Sequence, residues 1–533
     1  MTLKHLHENK IAQATVIIAV FSLLAKILGL VRDAVFSHQF GTSRLMDAYF
    51  AAFRLPDFIY NLLILGTFSV AFIPVFSEYL FKDREQANKL ASSIINATLL
   101  MMLGLTALAF IFINPLTHAI APGFSGESFD LTRLFTRIFL LSPLFLTLSS
   151  IVSSILNTHK RFALVASAPI VYNLSIIVGA IWLYPRWGPL GLALGVLLGA
   201  ILHFGVQVPQ IFRIGFHYTW GIVDSAGFRK FWTLYWPRIF SMGTEQVTSL
   251  IVTIFGSFLG AGALAAFYYA NNLQSVFLGI FAVSFAVAVF PLLSDLFNKE
   301  ENRGFKDVLA KTSVQILFFI IPLSILTLVL RAQIVRLVLG FGQNTHFTFA
   351  DTKIVAEALG LFAVSLFAQA LIPLFSRAFY AMHNTVTPVI IGFVVILFNI
   401  GTTYYLTRHL GIAGMALAYS MTSVIHLALL VMDLHRRLGN LHDEYLTVNV
   451  LKIIIASLLG GIAAYVSLYV VADWVNMRTY WGVLIQGVSS GAAGIVCYLF
   501  IGWLLGLSET HDLVKLLRSV LGKMAQAVNF YAR

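Results

Sequence analysis

The chain has 533 residues, 59% of them hydrophobic and 11% charged, with 46 Phe and a formal net charge of +12; its mean hydropathy is +0.86. Soluble domains carry roughly 25% charged residues, so the composition excludes a water-soluble globular protein and describes a polytopic membrane protein. Cys497 is the single cysteine, which excludes an intramolecular disulfide and any multi-cysteine metal site. The basic residues are dispersed through polar joints, not gathered on one soluble face as nucleic-acid binding would need.

Taken in order, the apolar runs predict an all-α protein with membrane spans near residues 11–31, 46–77, 90–114, 133–157, 163–185, 188–212, 232–259, 264–293, 310–331, 355–382, 385–407, 411–434, 449–473 and 480–506. That is about fourteen helices of the length a bilayer requires. The first run lacks a small-residue cleavage site and continues directly into charged sequence, so it reads as a retained span. Past the last span, Leu513, Leu516, Leu517, Val520, Leu521 and Met524 fall at helical spacing with Lys515, Arg518 and Lys523 between them. This describes an amphipathic tail on the inner membrane surface; a solvated tail is the alternative. Alternate joints hold 21 of the 35 basic residues. Basic residues in short loops stay cytoplasmic, so both termini are expected inside.

Two internal similarities run along the chain. Pro169 to Phe204, with WGPLGLALGVLLGAILHF, resembles Pro388 to Leu427, with LGIAGMALAYSMTSVIHL; His203 and His426 are in register at an offset of 223. AFIPVFSEYLF at 71–81 resembles AVFPLLSDLF at 288–297, with Pro74 and Pro291 in register at an offset of 217. They predict two parallel six-helix lobes, residues 1–215 and 216–440, followed by helices thirteen and fourteen in 441–508 and the tail in 509–533. Parallel repeats enclosing a midplane site are an architecture of alternating-access transporters; a duplicated scaffold that transports nothing is the other reading.

Leu24 to Tyr79 is apolar yet carries Lys26, Arg32, Asp33, Asp47, Arg54 and Asp57. Ionisable groups in membrane spans usually face a polar cavity or a partner. Lys26 lies about 9 Å along a helix from Arg32, and the two need not share a face. Asp47 and Arg54 are seven apart, nearly on one face, so they can pair or both line a cavity. Cations in a low-dielectric cavity attract anions, and Arg suits phosphate oxygens. The functional reading is a pocket for a phosphate-bearing substrate; the alternative is that Arg32 and Arg54 snorkel to the outer interface and Lys26 pairs with an acid. Glu245, with Asn399 or Thr403, could form a monovalent-cation or proton site, or pair structurally. Arg377 could reach a headgroup or snorkel. No metal-ligand spacing, P-loop or nucleophile elbow is found, and acidic nucleotide-sugar motifs that a membrane glycosyltransferase would need are missing from the inside joints. No cofactor is expected.

The run LLAKILGLVRDAVFSHQFGTSRLMDAYFAAFRLPDF, then GTFSVAFIPVFSEY, resembles the N-terminal signature of the MurJ (MviN) lipid II flippase family of the MOP exporter superfamily. ILNTHKRFALVASAPIVYN at 155–173, FYYANNL at 267–273 and SRAFYAMHNTVTP at 376–388 add to it. The resemblance implies a fourteen-helix, two-lobe flippase of the bacterial cytoplasmic membrane. It would move an undecaprenyl-linked peptidoglycan precursor from the inner to the outer leaflet, with membrane lipids and cell-wall synthesis proteins as partners. By position, Lys26 and Arg32 match basic cavity residues, and Asp33, Asp47 and Arg54 the charged signature around them. The sequence departs from the family pattern at Tyr60 and Asn61, where a basic pair is usual, at Leu65, where an acid is usual, and at Asn271 and Asn272, where Asp-Arg is usual. Asn272 therefore stands at a substrate-contact position without the charge, and another polyprenyl-linked oligosaccharide is the second substrate reading.

Overall fold

The structure is a computed structural model and describes residues 3–65, 68–239, 243–342, 345–513 and 515. Its regular elements are all helical among the described residues. Eleven stretches there are long and apolar enough to cross a membrane, judged by length and composition. The 53-residue helix Val386–Leu438 is one of these stretches. At 1.5 Å per residue it would run about 80 Å, far beyond a hydrocarbon core of roughly 30 Å. It breaks at Gly411, whose φ of 58° and ψ of −130° are not helical, at the joint expected between 407 and 411.

The described helices group into two compact units. The first takes in Met1–Tyr269, Val338–Asp351 and Asn399–Met415. Its helices are α1 (Leu3–Phe40), α2 (Arg44–Ala52), α3 (Arg54–Tyr60), α4 (Phe68–Lys82), α5 (Arg84–Ile111), α6 (Ile113–Ile120) and α7 (Glu127–Phe139). There follow α8 (Ser142–Thr158), α9 (Phe162–Val178), α10 (Tyr184–Trp187), α11 (Pro189–Gly205), α12 (Val208–Arg213), α13 (Ala226–Ile239), α14 (Gly243–Gly256) and the start of α15 (Ala263–Phe277). Phe68, Phe72 and Phe76 repeat every fourth residue of α4 and stack at 5.2 and 5.1 Å. Phe231 and Tyr235 of α13 close on them, and the Tyr235 hydroxyl donates to the Leu63 carbonyl at 2.7 Å. Asp83 caps α5 by accepting from the amides of Glu85 and Gln86 at 2.8 and 3.3 Å, which fixes its start. The far end of α1 is tied to the 338–351 segment. Ser37 donates to the Leu339 carbonyl at 2.7 Å, the His346 amide donates to the His38 carbonyl at 2.9 Å, and Thr42 donates to Asp351.

The second unit takes in Ala270–Leu337, Thr352–Phe398 and Ala416–Arg533. It holds the rest of α15, then α16 (Ser284–Asn298), α17 (Asn302–Val338), α18 (Phe349–Ala381), much of α19 (Val386–Leu438), α20 (Asp443–Ala472) and α21 (Tyr480–Leu504). Tyr498 of α21 donates to the Phe318 carbonyl of α17 at 2.7 Å. A Cβ on Gly460 would sit 2.7 Å from the Gly494 carbonyl oxygen, so α20 and α21 approach as closely as small residues allow. These units follow compactness, and their limits differ from the ranges of the sequence repeat. Of the predicted tail, residues 514 and 516–533 lie outside the described residues.

The backbone repeats at the offsets of the sequence. Lys160 and His383, 223 apart, are non-glycine residues with φ of 60° and 57°. Gly188 and Gly411, also 223 apart, share a φ of 58°. Three residues on, a Cβ at Gly191 or at Gly414 would run into the carbonyl of Leu183 or of Leu406. At the offset of 217, a π-helical turn at Asn61–Leu65 precedes α4, and another at Leu278–Val283 precedes α16. Glycine suits the positive φ at Gly188 and Gly411, and only glycine leaves room for the close backbone contact at Gly191 and Gly414. Sequence similarity alone could not reach the π-turns, whose residues differ.

Candidate functional site

α1 carries Lys26, Arg32 and Asp33, and α9 packs beside it within the first unit. Arg32 donates through Nε and Nη2 to Asp33 Oδ1 at 3.0 and 2.8 Å, and through Nη1 to Asn173 Oδ1 at 3.3 Å. Asn173 is itself fixed on α9, donating to the Pro169 carbonyl at 3.0 Å. A guanidinium has five N–H donors in a plane. These contacts leave one N–H on each Nη, so Arg32 is held in place with donors to offer. Arg32 keeps 23% of its side chain exposed while Asp33 is 3% exposed. Lys26 is half-buried. Among the described residues it has no acid within 4.0 Å, which makes it the cation of this cluster without a carboxylate beside it.

Asp47 and Arg54 have separate partners. Asp47 is 3% exposed. Its Oδ2 accepts from the Gly262 amide at 2.6 Å and its Oδ1 from the Ala265 amide at 2.8 Å. It caps the first turn of α15 from another helix, giving orphan N–H groups a charged acceptor. Gly262 has a φ of 86°, and a Cβ there would meet the Thr42 carbonyl, so this approach needs glycine. Arg54 donates through Nε to the Phe50 carbonyl at 3.2 Å, lies 3.7 Å from Asp57 and stacks 4.7 Å over the Tyr268 ring. Of the two arrangements the spacing allows, direct pairing is replaced by a helix cap and a cation–π stack.

The departures from the family pattern are filled by neutral hydrogen bonds. The Tyr60 hydroxyl is 2.8 Å from Ser150 Oγ, and Asn61 donates to Gln246 Oε1 at 3.2 Å. Leu65 has a side chain outside the described residues. In the second unit, Gln274 donates to Asn271 at 3.0 Å, and the Asn272 carbonyl accepts from Ser275 at 2.8 Å. Arg377 is half-buried and donates to the Pro373 carbonyl at 3.2 Å, one turn back on α18.

Asn399 and Thr403 are one turn apart on α19 and buried, at 0% and 1% exposure. The Glu245 side chain lies outside the described residues. No group of three His, Cys, Asp or Glu residues suited to a metal is found among the described residues. Asn173 is a member of the cluster that inspection of charges passed over. Its signal was present as the last residue of the motif at 155–173.

A family model described as lipid II flippase MurJ matches residues 36–485. A probable lipid II flippase MurJ of Buchnera aphidicola is 28% identical over 92% of this chain and 96% of its own length. That of Vibrio cholerae is 28% identical over 94% of this chain and 97% of its own. The chain superposes on a solved lipid II flippase MurJ in an inward closed conformation with a TM-score of 0.77 at 28% identity, covering 94% of this chain and all of that one. An inward-facing multidrug transporter of the MATE family shares the fold, with a TM-score of 0.66 at 14% identity over 80% of this chain and 99% of that one. With a match that runs across most of its 533 residues, the chain belongs to the MurJ lipid II flippase family.

Proposed function

We propose that this protein is a lipid II flippase, carrying the undecaprenyl-pyrophosphate-linked peptidoglycan precursor from the inner to the outer leaflet of the bacterial cytoplasmic membrane. The observation that carries the reading is the α1 cluster. Among the described residues Lys26 has no acidic partner, and one and two-thirds turns along the helix Arg32 is pinned by Asp33 and Asn173 with N–H groups to spare. A diphosphate is a ligand that a point charge plus a fixed planar donor suits. Burial of these cations beside apolar helices strengthens the attraction. Asp33 positions Arg32, Asp47 holds α15 in place, and Arg54 adds a stacked positive charge, with Asn272 and Arg377 as further headgroup contacts.

The protein works by alternating access between two six-helix lobes, residues 1–215 and 216–440. The polyprenyl tail stays in the bilayer while the headgroup crosses. Helices thirteen and fourteen complete a fourteen-helix chain with both termini cytoplasmic, as the distribution of basic residues supports. Glu245, Asn399 and Thr403 form the site of a coupling monovalent cation, and proteins of cell-wall synthesis are its partners.

A second reading has one specific observation behind it. Tyr60, Asn61 and Asn272 remove positive charge where the family usually has it, which suits a different polyprenyl-linked oligosaccharide. Complementation in cells depleted of their own lipid II flippase separates the two. Rescue of growth by the wild-type chain, lost on Lys26→Ala or Arg32→Ala at equal membrane abundance, is the expected result. A well-expressed wild type that fails to rescue overturns lipid II as the substrate and favours the second reading.

A further inference from the structure

A cavity of about 840 Å³ opens in the second unit where α17 and α20 both begin. Its lining includes Asn302, Arg303, Lys306, Asn440, Glu444 and Tyr445. Among the described residues, neither Arg303 nor Lys306 has an acid within 4.0 Å. The neighbouring carboxylate, Asp307, lies against His442, with its Oδ1 2.9 Å from Nε2. Asn440, also in the lining, uses its side-chain oxygen to accept from the Asp443 amide at 2.9 Å, which leaves its NH2 group available to a ligand. Glu444 is the one acid in the lining, and it is exposed. Two cations and the amide of Asn440 therefore line a space large enough for a phosphate and its ester groups.

The position of the cavity says which phosphate. α17 and α20 are both helices of membrane-spanning length and hydropathy, so a space at their common start lies at the level of lipid headgroups. Directly below it, Val448, Leu451, Ile455, Leu458 and Ile462 of α20 are all exposed. They recur at steps of three and four, one stripe of the helix, and form an apolar track that starts at the cavity, with Val448 lining both. Water cannot lie against such a stripe without cost, whereas an acyl chain can.

The geometry points to a binding site for an anionic phospholipid, its phosphodiester held by Arg303 and Lys306 and an acyl chain laid along the α20 stripe. The site is independent of the flippase reading, since none of its residues belongs to the α1 cluster. It makes the protein's environment in the membrane selective. A lysine or arginine near an anionic headgroup is worth about fivefold in affinity, so the pair supplies a preference of tenfold or more over a zwitterionic lipid.

The test uses the purified full-length protein in neutral detergent, titrated with phosphatidylglycerol or with phosphatidylcholine of the same chains, bound lipid being counted by native mass spectrometry. The wild type is expected to bind phosphatidylglycerol at least tenfold more tightly. Arg303→Ala with Lys306→Ala should abolish the preference and leave phosphatidylcholine binding as it was. The variant Arg303→Lys with Lys306→Arg should keep the preference, which guards against a double alanine variant that merely folds poorly. Equal binding of the two lipids by the wild type, or an undiminished preference in the double alanine variant, would overturn the proposal. Displacement of phosphatidylglycerol by inorganic phosphate at matching concentration would overturn it too, because the site would then hold a free anion and the apolar stripe would have no part in it.

Discussion

Asp47 is the residue whose role differs most between its chemistry in isolation and its setting. Its two carboxylate oxygens take the amides of Gly262 and Ala265 at 2.6 and 2.8 Å, with 3% of the residue exposed. A hydrogen bond to a charged group is worth about 1.5–3 kcal/mol, and a buried donor left without a partner loses a comparable amount. The two bonds share one carboxylate and are not additive, so Asp47→Ala is expected to lower the free energy of opening the first turn of α15 by about 3 kcal/mol. At about 1.4 kcal/mol per decade this is roughly a hundredfold faster exchange of those two amides. Asp47→Asn keeps an acceptor and loses the charge, so its effect should be nearer tenfold. Hydrogen exchange read by mass spectrometry on a peptide spanning residues 260–266 measures both, with an apparent Tm in detergent as a check. If Asp47→Ala left exchange at Gly262 and Ala265 unchanged, the cap would contribute nothing and Asp47 would return to the list of residues free to meet a headgroup.

Other expectations follow from the same contacts. Lys26→Arg should retain rescue of flippase-depleted cells while Lys26→Ala loses it, because the proposal needs the charge and not a particular donor geometry. Arg32→Lys should lose much of the rescue despite keeping its charge, since an ammonium cannot bridge Asp33, Asn173 and a ligand in one plane. Gly191→Ala and Gly414→Ala should each lower the apparent Tm by overpacking of about 1–3 kcal/mol against Leu183 and Leu406; a drop in one repeat only would show that the equivalence of the two turns is not energetic. The exposed pair Asp224–Arg229, bonded at 2.8 Å, holds the Asp224 carboxyl below its usual range by hydrogen bonding to Arg229. A depressed folded value means the pair's contribution is fully present above the ordinary carboxylate pKa and is lost as pH falls through the folded value. The difference between wild type and Asp224→Asn in thermal melting should therefore be unchanged from pH 7 to 5 and shrink only at lower pH.

The parts of the fold that were legible in the sequence are those set by periodic apolar content. The joint between residues 407 and 411 could be placed because two apolar runs of span length meet at Gly411, and the backbone does break there. The register of His203 with His426 pointed to an internal repeat, and the matching φ values of Lys160 and His383, at the same offset, show the repeat in backbone conformation. The charged cluster was legible as a cluster, because any charge stands out in a chain so apolar. Its wiring was not. Asp47 and Arg54 have a spacing that allows them to meet, yet the partner of Asp47 lies 215 residues away at Gly262, and that of Arg32 lies 141 residues away at Asn173. Nothing local in a sequence specifies such a partner.

The same distinction bears on the substitutions at Tyr60 and Asn61. A basic pair buried there would need counter-charge or a bound anion, because an unpaired cation in a low-dielectric setting is strongly disfavoured. The chain instead places a phenol against Ser150 and an amide against Gln246, a neutral arrangement that satisfies itself without a ligand. It also leaves the residues of α1 as they are in the family signature. Positive charge in the first unit's cluster is thereby concentrated on the element that carries Lys26 and Arg32, with Arg54 bound to its own acid and ring. Restoring the cations should consequently be asymmetric. Tyr60→Arg alone breaks the bond to Ser150 and adds a charge whose neighbouring acid, Asp57, already lies 3.7 Å from Arg54, so it should lower the apparent Tm and gain no rescue. Tyr60→Arg combined with Leu65→Glu, which supplies the acid the family usually has, should recover part of that loss. If the single substitution were as stable as the double, the coupling between the two departures would be absent, and the neutral pair would have to be explained by the substrate and not by charge balance.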